Sequence, residues 1–441
     1  MEDASEPGTI LAIPAAGTGL GGEVRLPGSK SMTHRGLVLG ALAGGTTRLS
    51  NASPAEDCRR TAEGLVRLGA GVGVADAGRL LQVRGWGERP ESGATHVDAG
   101  ESGTTARLLL PLLALGAGRC RIDGGPRLRQ RPMGPLVDAL QGLGVDIRRP
   151  NPDATLPLVV EANGVEGGAV ELDSRQSSQF ASALLLAAPR FRRGLALTLA
   201  AGRTVSRPYL EMTCSMMDVF GVTVERQGDT IFRVPAGSRY GPRELEIEGD
   251  ASAASYFFAA AAVCGGRVRC APLAGGRSLQ GDAQFVPLLE RMGCTVDSGP
   301  GWVEVRGDGG PLRALDVSMD GMPDLVPTLA VIALFAEGRT TIAGAAHLRW
   351  KESDRLGDLV RELRQLGGQV EETEDGLVIE GDAGRRLSGA TLDSHRDHRL
   401  AMSLSVAGLR LPGTVIRNPG CVAKSHPSFF HHLFSLAGHT G

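Results

Sequence analysis

The sequence predicts an α/β protein of two similar domains, each assembled from three β-α-β-α-β-β units. Three observations carry that expectation. A turn of glycyl, acidic or hydroxyl residues followed by a helix of small apolar residues recurs six times. The six turns begin about 70–76 residues apart, a period longer than that of the common solenoid repeats. Each copy then continues with a second amphipathic helix and Val-rich strands, and 441 residues suffice for two or three sizeable cores.

Taken in order, the turns are Gly28-Ser-Lys-Ser31, Gly100-Glu-Ser-Gly-Thr104, Asp173-Ser-Arg-Gln-Ser-Ser178, Gly249-Asp-Ala-Ser252, Asp320-Gly-Met-Pro-Asp324 and Asp393-Ser-His-Arg-Asp-His398. The helices they open are rich in Ala and Leu. Glycines near Gly44, Gly116, Gly265, Gly338 and Gly408 are read as their stops. Second helices follow, as in Leu65 to Val72, Leu136 to Val145, Met217 to Val222, Leu288 to Val296 and Leu359 to Val370. The sixth copy stops at the helix Phe429 to Gly438. The strand before each domain's first turn could belong to either side, so the changeovers fall near Gly28 and near Glu248-Gly249. That assigns residues 1–28 with 249–441 to one domain and 29–248 to the other. The leader, residues 1–22, reads as frayed and dispensable.

Composition narrows the function. The formal net charge is −2, which argues against a general nucleic-acid binder. No apolar run reaches the length of a membrane span. The leader lacks a cationic start and a long apolar stretch, so no signal peptide is expected. Seven scattered cysteines, an odd number with no C-x-x-C, suit a reducing compartment. No cluster has metal-ligand spacing, so no metal is expected.

A strand that turns into a helix presents backbone N–H groups and the positive end of the helix dipole. If the units are equivalent, these loops share one end of each domain. The cations there are Lys30, Arg35, Arg107, Arg131, Lys351, Arg355, Arg399 and Lys424. Asp324, Glu352, Asp354 and Asp397 are the carboxylates, with Ser31, Ser177, Ser178, Gln179 and Ser206 as neutral polar partners. Such a set suits small substrates carrying several negative charges. Lys351 and Arg355, four apart, are expected on one helix face with Glu352 beside them. Two carboxylates in different surroundings can divide acid and base roles. The bland readings are helix caps for the serines, a solvated cluster for Lys351 to Arg355, and a core residue for His398.

The stretches Leu26-Pro-Gly-Ser-Lys-Ser31 with Arg35, Gly103-Thr with Arg107, Gln130-Arg-Pro132, Ser177-Ser-Gln179, Lys351-Glu-Ser-Asp-Arg355, Asp397-His-Arg399 and Lys424 together resemble the EPSP synthase family, the 3-phosphoshikimate 1-carboxyvinyltransferases. The resemblance runs from about residue 20 to the C-terminus. It implies two inside-out α/β domains with the active site in the cleft between them, closing on substrate. It also implies a cofactor-free transfer of the enolpyruvyl group of phosphoenolpyruvate to the 5-hydroxyl of shikimate 3-phosphate, with release of phosphate. Under it, Lys30, Ser31, Arg35, Ser177, Ser178, Ser206, Asp324 and Lys351 bind shikimate 3-phosphate. His347 stands there where many members have Asn; an imidazole can still donate one hydrogen bond. Gln179 lies between both substrates. Lys30, Gly103, Arg131, Arg355, Arg399 and Lys424 form the phosphoenolpyruvate site. Asp324 is the base for the hydroxyl, Glu352 the acid for the methylene, and Lys30 assists.

The related UDP-N-acetylglucosamine 1-carboxyvinyltransferases usually carry a reactive Cys after a Gly-Gly pair. Here Gly124-Gly125 leads into Pro126-Arg127-Leu128, with no thiol. A non-catalytic anion- or RNA-binding repeat is the other alternative; it would not need Asp324 and Glu352 beside the cations. A cytoplasmic monomer, sensitive to glyphosate and without nucleic-acid or membrane partners, completes the expectation.

Overall fold

The computed structural model describes residues 8–17, 19–87, 90, 95–151, 153–200 and 205–439. The chain divides into two compact units: one takes the chain up to Pro27 and from Glu248 onward, the other runs from Gly28 to Ile247.

Six helices are small or apolar nearly all the way round, which leaves them no solvent face. In the Gly28–Ile247 unit they are Lys30–Leu42, Gly103–Leu115 and Gln179–Ala187, which pack on one another. The other unit repeats this with Ala251–Cys264, Val326–Leu334 and His398–Arg410. Sheets lie outside these helices, the reverse of the usual α/β layering. The expectation of an inside-out α/β fold therefore holds within each unit.

Five of the six sheets share one pattern. A first strand pairs parallel with a second, and a hairpin continues antiparallel. In Thr95–Asp98, Ala117–Asp123, Leu158–Asn163 and Asp146–Arg148 all four strands come from one continuous stretch. The first copy in each unit differs. The strand Leu20–Arg25 leads directly into the helix Lys30–Leu42 of the Gly28–Ile247 unit, yet it pairs with Gly266–Ala271 of its own unit. Glu244–Glu246 leads toward the helix Ala251–Cys264, yet it pairs with Gly44–Ser50. The two units thus exchange their leading strands. Gly28 and Gly249, at the two changeovers, are glycines for steric reasons: an added Cβ would lie 1.7 Å from the Asn51 carbonyl oxygen and 1.8 Å from that of Pro272.

The leader corrects the sequence reading. Residues 1–7 of it lie outside the described residues, but Ile10–Ala12 forms the antiparallel partner of Val415–Arg417 and completes the sixth sheet. Ile13 is 4% exposed, its N–H donates to the Thr414 carbonyl at 2.9 Å, and it packs on Gly408. Gly408 is likewise not a helix stop. The helix runs on to Arg410, and an added Cβ at 408 would meet Ile13 at 2.8 Å. The leader's few apolar residues were too short a pattern to read as a strand, because their partner lies some 400 residues away.

At the start of Ala251–Cys264, Asp250 caps the Ala253 N–H at 2.9 Å and the Gln280 side chain accepts from the Ala251 N–H at 3.0 Å. Ser252 donates to Asp282. Burial pushes the Asp282 carboxyl up to about 6; Arg399 lowers it, while Asp324 and Asp250 raise it.

Two outcomes follow from these contacts. Ile13→Ala should cost roughly 2–4 kcal/mol in chemical unfolding, the usual range for emptying a buried aliphatic site; an unchanged midpoint would return the leader to the dispensable class. Because the folded value of Asp282 lies above the ordinary one, its contribution to stability is complete below about pH 4 and is lost as pH rises through about 6. Asp282→Asn should therefore stabilise the protein at pH 8 by about 3 kcal/mol at most, and not at pH 4, when unfolding is followed at both values.

Candidate active site

In the Gly28–Ile247 unit the polar residues gather at the N-terminal ends of the three buried helices. Lys30 opens the first helix and pairs with Asp57 at 3.2 Å. Arg35, one turn further in, is buried. It donates from Nε to Thr213 at 2.8 Å, from Nη1 to the Ser31 carbonyl at 2.8 Å and from Nη2 to the Tyr209 carbonyl at 3.0 Å. Burial lowers its pKa to about 10. Arg35 therefore braces the Ser31 turn against the helix Arg207–Val219, with most of its donors used inside the protein. Ser206 sits left-handed, φ 55°, at the start of that helix.

Around the second and third helices, Arg107 donates to Gln179 at 2.9 Å and to the Pro132 carbonyl at 3.0 Å. Gln179 donates in turn to Thr104 at 3.0 Å. Ser177 and Ser178 are buried beside it. Ser102 caps the Thr105 N–H at 3.2 Å, which sets Gly103 as the first helical residue. The buried Arg131 guanidinium lies across Gly103: a Cβ there would stand 2.7 Å from its Cζ. The missing side chain is what lets the cation approach the helix start.

The other unit centres on Arg355, which is 1% exposed. Its Nε donates to Asp397 at 2.7 Å, Nη1 to Asp324 at 2.9 Å and Nη2 to Glu352 at 2.6 Å. Burial lowers its pKa, but the Asp397, Glu352 and Asp324 charges outweigh burial and raise it. Arg399 donates from Nη2 to the second oxygen of Asp324 at 2.6 Å and from Nη1 to the Tyr256 hydroxyl at 3.2 Å. Lys424 Nζ stands 3.9 Å from Glu352. Asp397 also caps its own helix, accepting from the Arg399 N–H at 2.8 Å.

This grouping departs from the sequence reading in two ways. Residues 351–356 form no helix; they link the 3₁₀ turn Ala346–Trp350 to the helix Gly357–Gln365. Lys351 and Arg355 therefore share no helix face, and Arg355 turns inward to the carboxylates instead. The expected cationic excess is also uneven. Arg355, Arg399 and Lys424 face Asp324, Glu352 and Asp397, three against three. In the other unit Lys30, Arg35, Arg107 and Arg131 gather with Asp57. His347 is buried, and neither ring nitrogen has a hydrogen-bond partner among the described residues. Burial, then the Lys351 charge, lowers its pKa to about 3, so the imidazole is neutral.

Asp57, Thr213 and Tyr256 were not foreseen. Asp57 sits in the first turn of Glu56–Arg67, where an acid looks like ordinary helix capping. Tyr256 lies in an apolar run, and only its contact with Arg399 marks it out. Cys120 is buried, and burial raises its pKa, so it stays an inert thiol. Among the described residues, no three metal-ligating side chains group together.

A sequence profile of the family described as EPSP synthase (3-phosphoshikimate 1-carboxyvinyltransferase) matches residues 14–433. The 3-phosphoshikimate 1-carboxyvinyltransferase of Trichormus variabilis is 41% identical over 428 residues, which is 97% of this chain and 99% of that one. That of Syntrophobacter fumaroxidans is 44% identical over 422 residues, 95% and 98% of the two chains. The solved EPSP synthase of Acinetobacter baumannii superposes with a TM-score of 0.79 at 28% identity, covering 98% of each chain. The enolpyruvyl transferase NikO of Streptomyces tendae, at 20% identity and a TM-score of 0.78, shares the fold. With a family profile over nearly its whole length and relatives above 40% identity, the chain belongs to the EPSP synthase family.

Proposed function

We propose that the protein transfers the enolpyruvyl group of phosphoenolpyruvate to the 5-hydroxyl of shikimate 3-phosphate and releases phosphate, a step of the shikimate pathway. The observation that supports this best is Arg355, which holds Asp324 and Glu352 on one guanidinium inside a chain of this family. Asp324, bound by Arg355 and Arg399, takes the hydroxyl proton as the oxygen attacks C2 of phosphoenolpyruvate. Glu352 supplies a proton to the methylene carbon, which gives a tetrahedral intermediate. In the second step Glu352 takes a methylene proton back, the double bond re-forms, and phosphate leaves with the proton first lost by the hydroxyl. Arg355 and Lys424 both stand beside Glu352, so a substrate carboxylate that draws these two cations to itself loosens their hold on the acid.

The binding roles follow the same reading. Lys30, Ser31, Ser177, Ser178, Gln179, Ser206, Lys351 and Asp324 serve shikimate 3-phosphate, with Arg35 shaping the Ser31 turn. Neutral His347 donates one hydrogen bond to the phosphate. Lys30, Gln179, Gly103, Arg131, Arg355, Arg399 and Lys424 serve phosphoenolpyruvate, and glyphosate competes there. The protein is read as a cytoplasmic monomer. Seven free cysteines support a reducing compartment, and no helix among the described residues is long and apolar enough to cross a membrane.

The decisive assay is release of phosphate from phosphoenolpyruvate that depends on shikimate 3-phosphate. Glu352→Gln should lower turnover by about a hundred- to ten-thousandfold without unfolding the protein; near-native turnover would move the acid role to another residue. Gly103→Ala should raise the inhibition constant of glyphosate more than the Michaelis constant of phosphoenolpyruvate. The methyl would stand 2.7 Å from the Arg131 Cζ and shift the end of that side chain, and it reaches a longer inhibitor before it reaches the shorter substrate. A rise of both constants by one factor would show that Gly103 does not line this pocket.

A further inference from the structure

Resting on that reading, we propose that His395 and Glu362 are positioning residues for the transfer: their contact fixes the loop that carries Asp397 and Arg399, and through Asp397 it fixes Arg355.

The loop between the strand Thr391–Asp393 and the helix His398–Arg410 contains two successive left-handed residues, His395 at φ 50° and Arg396 at φ 55°. Side chains rarely accept that backbone region, and two in a row need outside support. The support is visible. The His395 N–H donates to Asp393 at 2.7 Å, the Arg396 N–H to the Ser394 hydroxyl at 3.2 Å, and that hydroxyl to the Asn418 carbonyl at 3.2 Å. Asp397, the next residue, is the acceptor for Arg355 Nε.

Glu362 ties this loop to the segment that carries Arg355. It sits on the helix Gly357–Gln365, which starts two residues after Arg355, and it is 1% exposed. One of its oxygens meets His395 Nε2 at 2.8 Å; the other accepts from the Asp393 N–H at 2.9 Å and from Gln365 at 2.9 Å. A buried carboxylate on this helix is costly unless it is bonded in this way. It bonds Asp393 and His395 of the loop as well as a neighbour on its own helix. The loop 393–397 is thus held from two places: by Ser353 and Arg355 at Asp397, beside the proton carriers, and by Glu362 of the following helix at Asp393 and His395.

The charged groups facing the imidazole are Glu362 at 2.8 Å, Asp358 at 3.7 Å from Nδ1, and Asp393; Asp358 is itself paired with Arg361 at 2.8 Å. The Glu362 hydrogen bond comes first among the causes that raise the His395 pKa; burial opposes it. The charge-assisted clamp is therefore complete below the ordinary imidazole value of about 6.5 and weakens as pH rises through the raised folded value.

Two substitutions separate the clamp from the backbone. His395→Asn keeps a residue that tolerates the left-handed region but is too short to reach Glu362. His395→Gln is less suited to that backbone yet can donate to Glu362. With phosphoenolpyruvate and shikimate 3-phosphate as substrates, His395→Asn should lower kcat/KM by up to about a hundredfold, and His395→Gln should recover most of the loss. Native kcat/KM in His395→Asn, or equal loss in both variants, overturns the proposal. Should His395→Asn fail to fold, pH profiles decide. Wild-type kcat/KM should carry a falling step above the ordinary imidazole range that His395→Gln lacks, and identical profiles overturn the clamp. A wild type that releases no phosphate with shikimate 3-phosphate present overturns the functional reading itself, an outcome distinct from an active wild type with indifferent variants.

Discussion

The candidate site depends on one buried cation. Arg355 lies in protein with three carboxylates on it, and an uncompensated guanidinium at that depth would be costly by several kcal/mol. Its planar fork donates to Asp324, Glu352 and Asp397 in fixed directions, which a lysine could not do. The two candidate proton carriers are therefore not placed independently. Moving either one redistributes the bonds of the other, and Arg399 extends the coupling through the second oxygen of Asp324. Catalytic geometry and local stability share the same contacts here, so single substitutions in this group should be far from additive.

The same physics separates the two units. In one, cation and carboxylate charges balance before any substrate arrives. In the other, Arg107 and Arg35 spend their donors on carbonyls and hydroxyls, which bridge neighbouring helices without cancelling charge. An anion entering there meets positive charge and helix N-termini. An anion reaching Arg355 or Arg399 must compete with carboxylates already in place, which favours a ligand that is itself a carboxylate with matching geometry.

Much of this was legible in the sequence because the information is local. The glycyl and hydroxyl turns, the small-residue helices and the Val-rich hairpins are short-range patterns, and the six small-residue helices form where they were read. The motif residues Gly103, Gln179, Glu352 and Arg355 stand at helix starts or in the turns before them. What escaped was long-range. Ile10–Ala12 is a strand only because Val415–Arg417 offers it an edge, and Gly408 is small because Ile13 lies against it. The 351–356 segment has helical spacing, but a helix there would set the like charges Lys351 and Arg355 on one face, and Arg355 is buried against Asp397 instead. Asp57 and Tyr256 carried no sequence signal, since each is recognisable only by the cation it touches.

The exchanged leading strands set a timetable for synthesis. A ribosome emitting this chain releases Leu20–Arg25 long before its partner Gly266–Ala271 exists, and Ile10–Ala12 waits until Val415–Arg417 has emerged. The middle stretch can meanwhile complete three sheets, the last strand, Glu244–Glu246, arriving just before the changeover. One half of the molecule can thus mature as it is made, while the other keeps unpaired strand edges exposed until translation is nearly over. Such edges invite wrong pairing, so slow elongation over the second half lengthens the hazard, and a chaperone that shelters the first 25 or so residues would shorten it.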